Sequence, residues 1–118
     1  YHFGEYSRVV PSFKDVNYLM TSNLWGTSRV IEQCKIWNSK LIYSASSSKF
    51  GGNEDLSPYS WTKSKMVELI KNYKEWYGLK YEICYFYNVY GLNQISEGDY
   101  ATVIGIFEKQ YREGLQTI

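Results

Sequence analysis

The sequence predicts an α/β fold built on a parallel sheet. Two observations carry this. Residues 40–44 and 80–87 are short apolar runs of strand character, and long stretches of helical periodicity precede and separate them. The order reads strand, helix, strand, helix, strand, helix, strand, a βαβαβαβ segment. Such alternation favours parallel strands joined by right-handed crossovers.

Each element has its own signals. Tyr1-His2-Phe3-Gly4 reads as the end of a strand. Residues 14–38 read as one amphipathic helix, because Val16, Leu19, Met20, Leu24, Thr27, Val30, Ile31 and Cys34 recur at spacings of three and four. Ser12 or Asp15 is its candidate cap. Lys40-Leu41-Ile42-Tyr43-Ser44 reads as a buried strand, and the Ser, Gly, Asn and Asp of residues 45–57 as a loop. Ser57 and Pro58 open a helix, Ser as N-cap and Pro at the first position, where its missing N–H leaves nothing unpaired. That helix runs to about Tyr77 and ends at Gly78. Residues 80–87 are the next strand and residues 88–98 a loop. Residues 99–113 read as a helix with Val103, Ile104, Phe107 and Tyr111 on one face, closed by Gly114. Gln116-Thr117-Ile118 looks like the start of a further strand. Strand-like ends at both termini lead us to expect a piece of a longer protein, with residues 1–118 as a single partial domain.

Composition bounds the function. The chain has 118 residues, and 13 basic against 12 acidic residues leave a net charge of +1. So small a charge gives no support to nucleic-acid or membrane-surface binding. A hydrophobic share of 44% argues against disorder. No apolar run approaches a membrane span, and no signal peptide is visible. Cys34 and Cys84 both sit in apolar runs and are expected as reduced thiols, so a cytoplasmic protein is the expectation. No metal site is expected.

The chemistry-bearing residues gather where the strands of such a sheet end. Tyr59 and Lys63 stand at i and i+4, one turn apart on one helix face. A phenol with a pKa of about 10 is a poor base at neutral pH. A nearby ammonium favours its phenolate and brings proton transfer within reach. Taken alone the pair is common by chance. It follows, however, a serine-rich strand exit, Tyr43-Ser44-Ala45-Ser46-Ser47-Ser48, where a Ser can bond a substrate hydroxyl. Asn88 lies at the end of the next strand.

These residues fall in an order that resembles the extended short-chain dehydrogenase/reductase family, the NAD-dependent sugar-nucleotide epimerases and dehydratases. His2-Phe3-Gly4 resembles the family's fourth strand and the small residue beside the cofactor. Asn23-Leu24-Trp25-Gly26-Thr27 resembles its Asn-x-x-Gly-Thr helix motif. Residues 44–51 resemble its Ser-Ser-x-x-x-Tyr-Gly segment, with Phe50 in place of Tyr. Tyr59 to Lys63 resembles its Tyr-x-x-x-Lys pair. Phe86-Tyr87-Asn88-Val89-Tyr90-Gly91 resembles its Arg-x-x-Asn-x-Tyr-Gly segment, without the Arg. Five motifs in order are far more specific than any one of them.

The resemblance implies part of a Rossmann-like three-layer parallel sheet. Counting back five positions from Gly51 places Ser46 on the family's catalytic Ser or Thr, with Ser47 the nearest alternative. By resemblance, Tyr59 is the acid/base, Lys63 holds the nicotinamide ribose and lowers the Tyr59 pKa, and Ser46 bonds the reacting sugar hydroxyl. Gly4, Asn23, Ser44 and Phe86 join Tyr59 and Lys63 on the cofactor side. Asn88, Ser46 and Ser47 lie on the substrate side. The implied reaction starts with proton removal by Tyr59 and hydride transfer from sugar C4 to NAD.

The family's 4,6-dehydratases usually carry Asp-Glu after the catalytic Thr. Ser47 and Ser48 stand there instead, which favours a 4-epimerase of the UDP-glucose/UDP-galactose type. Other NAD(P)-dependent dehydratases or reductases remain alternatives, as does a non-catalytic remnant serving as an oligomerisation module. The family's Gly-x-x-Gly-x-x-Gly turn does not occur in these residues, nor does its carboxy-terminal substrate domain. The isolated 118 residues are therefore expected to bind NAD weakly or not at all, and to be inactive alone. Helices 14–38 and 58–77 resemble those of the family's four-helix dimer interface, so a homo-oligomer is expected through surfaces that include Trp25, Trp37, Trp61 and Trp76.

Overall fold

The computed structural model describes residues 1–49 and 52–115. Phe50, Gly51 and the strand expected at Gln116-Thr117-Ile118 lie outside them. The elements are α1 (Val16–Leu19), a π-helical segment (Met20–Gly26), α2 (Thr27–Ile36), β1 (Leu41–Ser46), α3 (Pro58–Tyr77), β2 (Tyr81–Phe86) and α4 (Val103–Arg112). Short 3-10 turns occupy Pro11–Phe13 and Ser47–Lys49. Residues 1–87 form one compact unit and residues from Asn88 onward a second.

β1 and β2 pair in parallel, from Leu41 opposite Tyr81 to Ser46 opposite Phe86. Both carboxyl ends therefore lie on the same side. Along β1 burial alternates: Leu41, Tyr43 and Ala45 are buried, while Ile42, Ser44 and Ser46 are half-buried. This is the period of two that a pleated strand imposes. The buried face joins Ile31 of α2 with Met66, Val67 and Ile70 of α3 in one core, closed by Leu79.

The boundaries of α3 follow its punctuation. The Ser57 hydroxyl accepts the Ser60 N–H at 3.0 Å, and Pro58 takes the first position. Gly78 ends the helix with a φ of 72°, a left-handed conformation that a Cβ disfavours.

Other expectations are corrected. The strand expected at residues 1–4 is a single parallel bridge, His2 to Tyr43, with the His2 N–H donating to the Ile42 carbonyl at 2.9 Å. Beyond it, the backbone of Tyr6 is bonded to the Asn23 side chain, so it does not extend the sheet. β1 runs to Ser46, two residues further than expected.

The continuous helix expected over 14–38 is interrupted by the π-helical Met20–Gly26, a wider turn that places Asn23 inside. Asp15 holds the N-cap position of α1, but its carboxylate accepts the Tyr6 hydroxyl at 2.9 Å instead of capping the helix. The helix expected from residue 99 starts at Val103, where the Thr102 hydroxyl accepts the Gly105 N–H at 3.1 Å. Its apolar stripe of Val103, Ile104, Phe107 and Tyr111 is exposed. Among the described residues, no helix is long and apolar enough to cross a membrane, and no group of His, Cys, Asp and Glu could hold a metal ion.

Candidate active site

The Ser57-Pro58 start aims the first turns of α3 at the carboxyl end of β1. The Tyr59 N–H donates to the Ser12 hydroxyl at 3.3 Å, which ties the helix start to the Pro11–Phe13 turn. The Tyr59 side chain comes close enough to Ser46, the last residue of β1, for Ser46 to act on its titration. Ser46 Oγ also accepts the Ser48 N–H at 3.2 Å and lies 2.9 Å from the Ser48 hydroxyl. Ser47 opens the following turn and is half-buried. Of the two serines weighed from the sequence, Ser46 is the one that acts on Tyr59.

One turn further along α3, Lys63 is buried. Its ammonium donates to the Ser44 carbonyl at 2.7 Å and to the carboxylate of Glu5. It also sits 5.2 Å from the Tyr43 ring centroid. Glu5 accepts the Tyr43 hydroxyl at 3.1 Å and 3.2 Å, and the Thr27 hydroxyl as well. Thr27 Oγ1 lies 2.7 Å from His2 Nε2. A hydroxyl has one proton, and Thr27 gives it to Glu5, so His2 Nε2 carries its own and donates. His2, Glu5, Thr27, Tyr43 and Lys63 thus form one buried polar network drawn from the amino-terminal segment, α2, β1 and α3.

Burial dominates the electrostatics. It raises the Tyr59 pKa above its ordinary value. The nearby Ser46 hydroxyl opposes the rise, the Glu5 charge adds to it and the Arg8 charge opposes it. The expectation that Lys63 brings Tyr59 down is corrected: the Lys63 ammonium is paired with Glu5, and the net shift is upward. Tyr43 is pushed up strongly, first by burial and then by Glu5. His2 is lowered by burial, against a smaller upward pull from Glu5.

The other expected site residues divide. Ser44 is half-buried; its hydroxyl donates to the His2 carbonyl at 3.1 Å while its own carbonyl orients Lys63. Gly4 is exposed, and a Cβ built there would meet nothing within 4 Å, so one side of the strand end is open. Phe86 is opposite Ser46 and stacks edge-on against Phe3, with ring centroids 6.0 Å apart.

Asn23 is a correction. Its side chain is fully buried, and its amide is bonded to the Tyr6 backbone and the Thr62 hydroxyl. It has no surface to offer a cofactor; it shapes the fold. Asn88 is exposed and belongs to the second unit.

Ala45, Ser46, Lys63, Val67 and Tyr85 line a small pocket at the carboxyl end of β1. The second unit has its own wider cleft, between residues 90–96 and α4. Sequence reasoning missed Glu5, His2 as a side-chain donor, Thr27 as a polar relay, and the Tyr43 hydroxyl. The available signal was Glu5 itself, a lone carboxylate immediately after a strand end.

Comparisons with known proteins bear on the fold and the family. A family model described as the NAD dependent epimerase/dehydratase family matches residues 1–118. A putative UDP-glucose 4-epimerase from Methanocaldococcus jannaschii is 32% identical over 98 residues, covering 72% of this chain and 32% of the relative. The chain therefore spans about a third of that relative's length. The UDP-N-acetylglucosamine 4-epimerase of Methanobrevibacter ruminantium, solved with UDP-N-acetylmuramic acid, superposes with a TM-score of 0.88 at 27% identity, over 98% of this chain and 41% of its own. The UDP-glucose 4-epimerase of Thermus thermophilus, solved with NAD, gives 0.79 at 25% identity, over 98% and 42%. The fold is thus the Rossmann-like α/β fold of these enzymes, and the chain belongs to the NAD-dependent epimerase/dehydratase family.

Proposed function

We propose that this chain carries the catalytic centre of a nucleotide-sugar 4-epimerase, acting on UDP-glucose/UDP-galactose or a close analogue. The observation that carries the reading is the meeting at the carboxyl end of β1 of Ser46, Tyr59 in the first turn of α3 and, one helical turn on, the buried Lys63 bonded to the Ser44 carbonyl. Ser46 holds the sugar C4 hydroxyl, and Tyr59 takes its proton and later returns one. UDP-sugar relatives of this chain support the substrate class.

The residues fit a dinucleotide. Open room beside Gly4 suits a flat ring lying against the strand end. An ammonium has three N–H groups, and the bonds of Lys63 to Glu5 and Ser44 use two of them, so a third suits a ribose hydroxyl. When bound, NAD supplies the acceptor for hydrogen from C4. Ser47 and Ser48 offer no carboxylate for an elimination, which supports epimerase over dehydratase.

The 118 residues alone carry no glycine-rich dinucleotide turn, so they bind NAD weakly and do not turn over. Trp25, Trp37 and Trp76 are exposed, and they supply apolar surface for a homo-oligomer of the longer protein. Half-buried, unpaired Cys34 and Cys84 suit a reducing cytoplasm. The test is interconversion of UDP-glucose and UDP-galactose by the full-length protein, with wild type against Tyr59→Phe and Ser46→Ala. Turnover retained in both variants would remove the reading.

A further inference from the structure

The Glu5–Lys63 ion pair is buried on both sides, with the two side chains 1% and 7% exposed. Such a pair is a poor device for stability. Desolvating two charges offsets most of their attraction, and an apolar pair of like volume often holds a fold as well. The Glu5 carboxylate is nevertheless fixed from several directions, by Lys63, by the Thr27 hydroxyl and by the Tyr43 hydroxyl at 3.1 Å. His2 backs Thr27 in turn. Lys63 is pinned between that carboxylate and the Ser44 carbonyl, with little freedom left to its long side chain. The bonds converge on the Glu5 carboxylate, and that carboxylate in turn holds the ammonium, one turn from Tyr59.

We infer that Glu5 is a positioning residue of this centre: its buried carboxylate holds the Lys63 ammonium at the carboxyl end of β1, where that ammonium meets the cofactor ribose. The inference rests on the reading of Lys63 given under Proposed function. Glu5 has a second effect through the same geometry. Its negative charge opposes phenolate formation at Tyr59. The ionisable groups around the pair are His2, Glu5 and Arg8 from the amino-terminal segment, Tyr43 from β1, and Tyr59 and Lys63 from α3. Of these, Glu5 is the carboxylate bonded to Lys63.

The test uses the full-length protein and a cycle of Glu5→Gln, Lys63→Met and the double variant. NAD affinity is read by calorimetry, and kcat and KM across a pH series. Glu5→Gln is expected to weaken NAD binding about tenfold, as the loss of a charge-assisted anchor implies. KM for the sugar nucleotide stays near wild type. The rising limb of the pH profile moves down by about one unit, because a charge opposing the phenolate is gone. Glu5→Asp recovers part of the loss. In the Lys63→Met background, Glu5→Gln adds nothing.

An equal loss in both backgrounds makes Glu5 a structural residue and overturns the inference. So does an unchanged NAD affinity in Glu5→Gln while Lys63→Met loses it, an outcome that leaves the functional reading standing. If Lys63→Met itself keeps full NAD affinity, the functional reading falls and the inference falls with it. Should Glu5→Gln not fold, Tyr43→Phe loosens the same carboxylate. It is expected to weaken NAD binding in the wild-type background and not beside Lys63→Met; a loss in both overturns the inference equally.

Discussion

Asn23 and Tyr6 exchange two hydrogen bonds: the Tyr6 N–H donates to Asn23 Oδ1 at 2.8 Å, and Asn23 Nδ2 donates to the Tyr6 carbonyl at 3.2 Å. A side-chain amide thus completes the backbone of a segment that has left the sheet. Both Tyr6 groups are buried, and a buried backbone group without a partner is costly. Replacing Asn23 with Ala is expected to destabilise the protein by about 2–3 kcal/mol, the cost of leaving two such groups unpaired. Urea unfolding checks this. A change below about 0.5 kcal/mol would mean that the Tyr6 segment finds other partners.

Tyr59 is raised by burial, so its proton stays on at neutral pH in the free chain. A general base in that state works better as pH rises. Turnover by the full-length protein is therefore expected to climb from pH 6 towards the alkaline side, and a profile that falls above neutrality counts against Tyr59 as the base. Tyr59→Phe keeps the ring and removes the proton-transferring oxygen. It should lower kcat by about 10²–10⁴, the usual contribution of general acid–base catalysis, with little change in melting temperature.

His2 has its pKa lowered by burial. The folded state then binds fewer protons than the unfolded state as pH falls through the unfolded value of about 6.5. Stability is accordingly full above that value and declines as the pH drops below it. His2→Gln, which has no titrating ring, should flatten that part of the melting-temperature profile between pH 7.5 and 5. Equal slopes in the two proteins would show that His2 is not the group responsible.

Gly105 lies where α4 begins, close against the preceding loop. A Cβ there would stand 2.7 Å from the Ile95 carbonyl oxygen and 3.0 Å from the Thr102 hydroxyl, the one that caps the helix. Backbone must shift to admit it. Gly105→Ala is expected to destabilise the second unit by about 1–3 kcal/mol, the range for overpacked sites. Hydrogen exchange would show faster amides in α4 with α3 and β1 unchanged. Unchanged protection in α4 would mean that the loop yields freely.

Much of this protein is written in local sequence. The Ser57-Pro58 start and Gly78 stop of α3 need only capping chemistry and a left-handed turn, both properties of the residues themselves. The alternating burial of β1 follows from its period of two. That Ser46, Tyr59 and Lys63 come together was legible because a helix fixes the i to i+4 relation and a strand end fixes where Ser46 stands. What sequence alone left open depends on residues distant along the chain. Asn23 stands in a motif whose resemblance points to the cofactor, and only the π turn shows it carried onto Tyr6, 17 positions away. Lys63 looks like the neighbour that lowers the Tyr59 pKa until Glu5, 58 positions away, claims its ammonium. Local periodicity shows which face is buried. Only the tertiary structure decides which charges are buried together, because the pairing energy of two ions depends on their separation and on the water excluded around them.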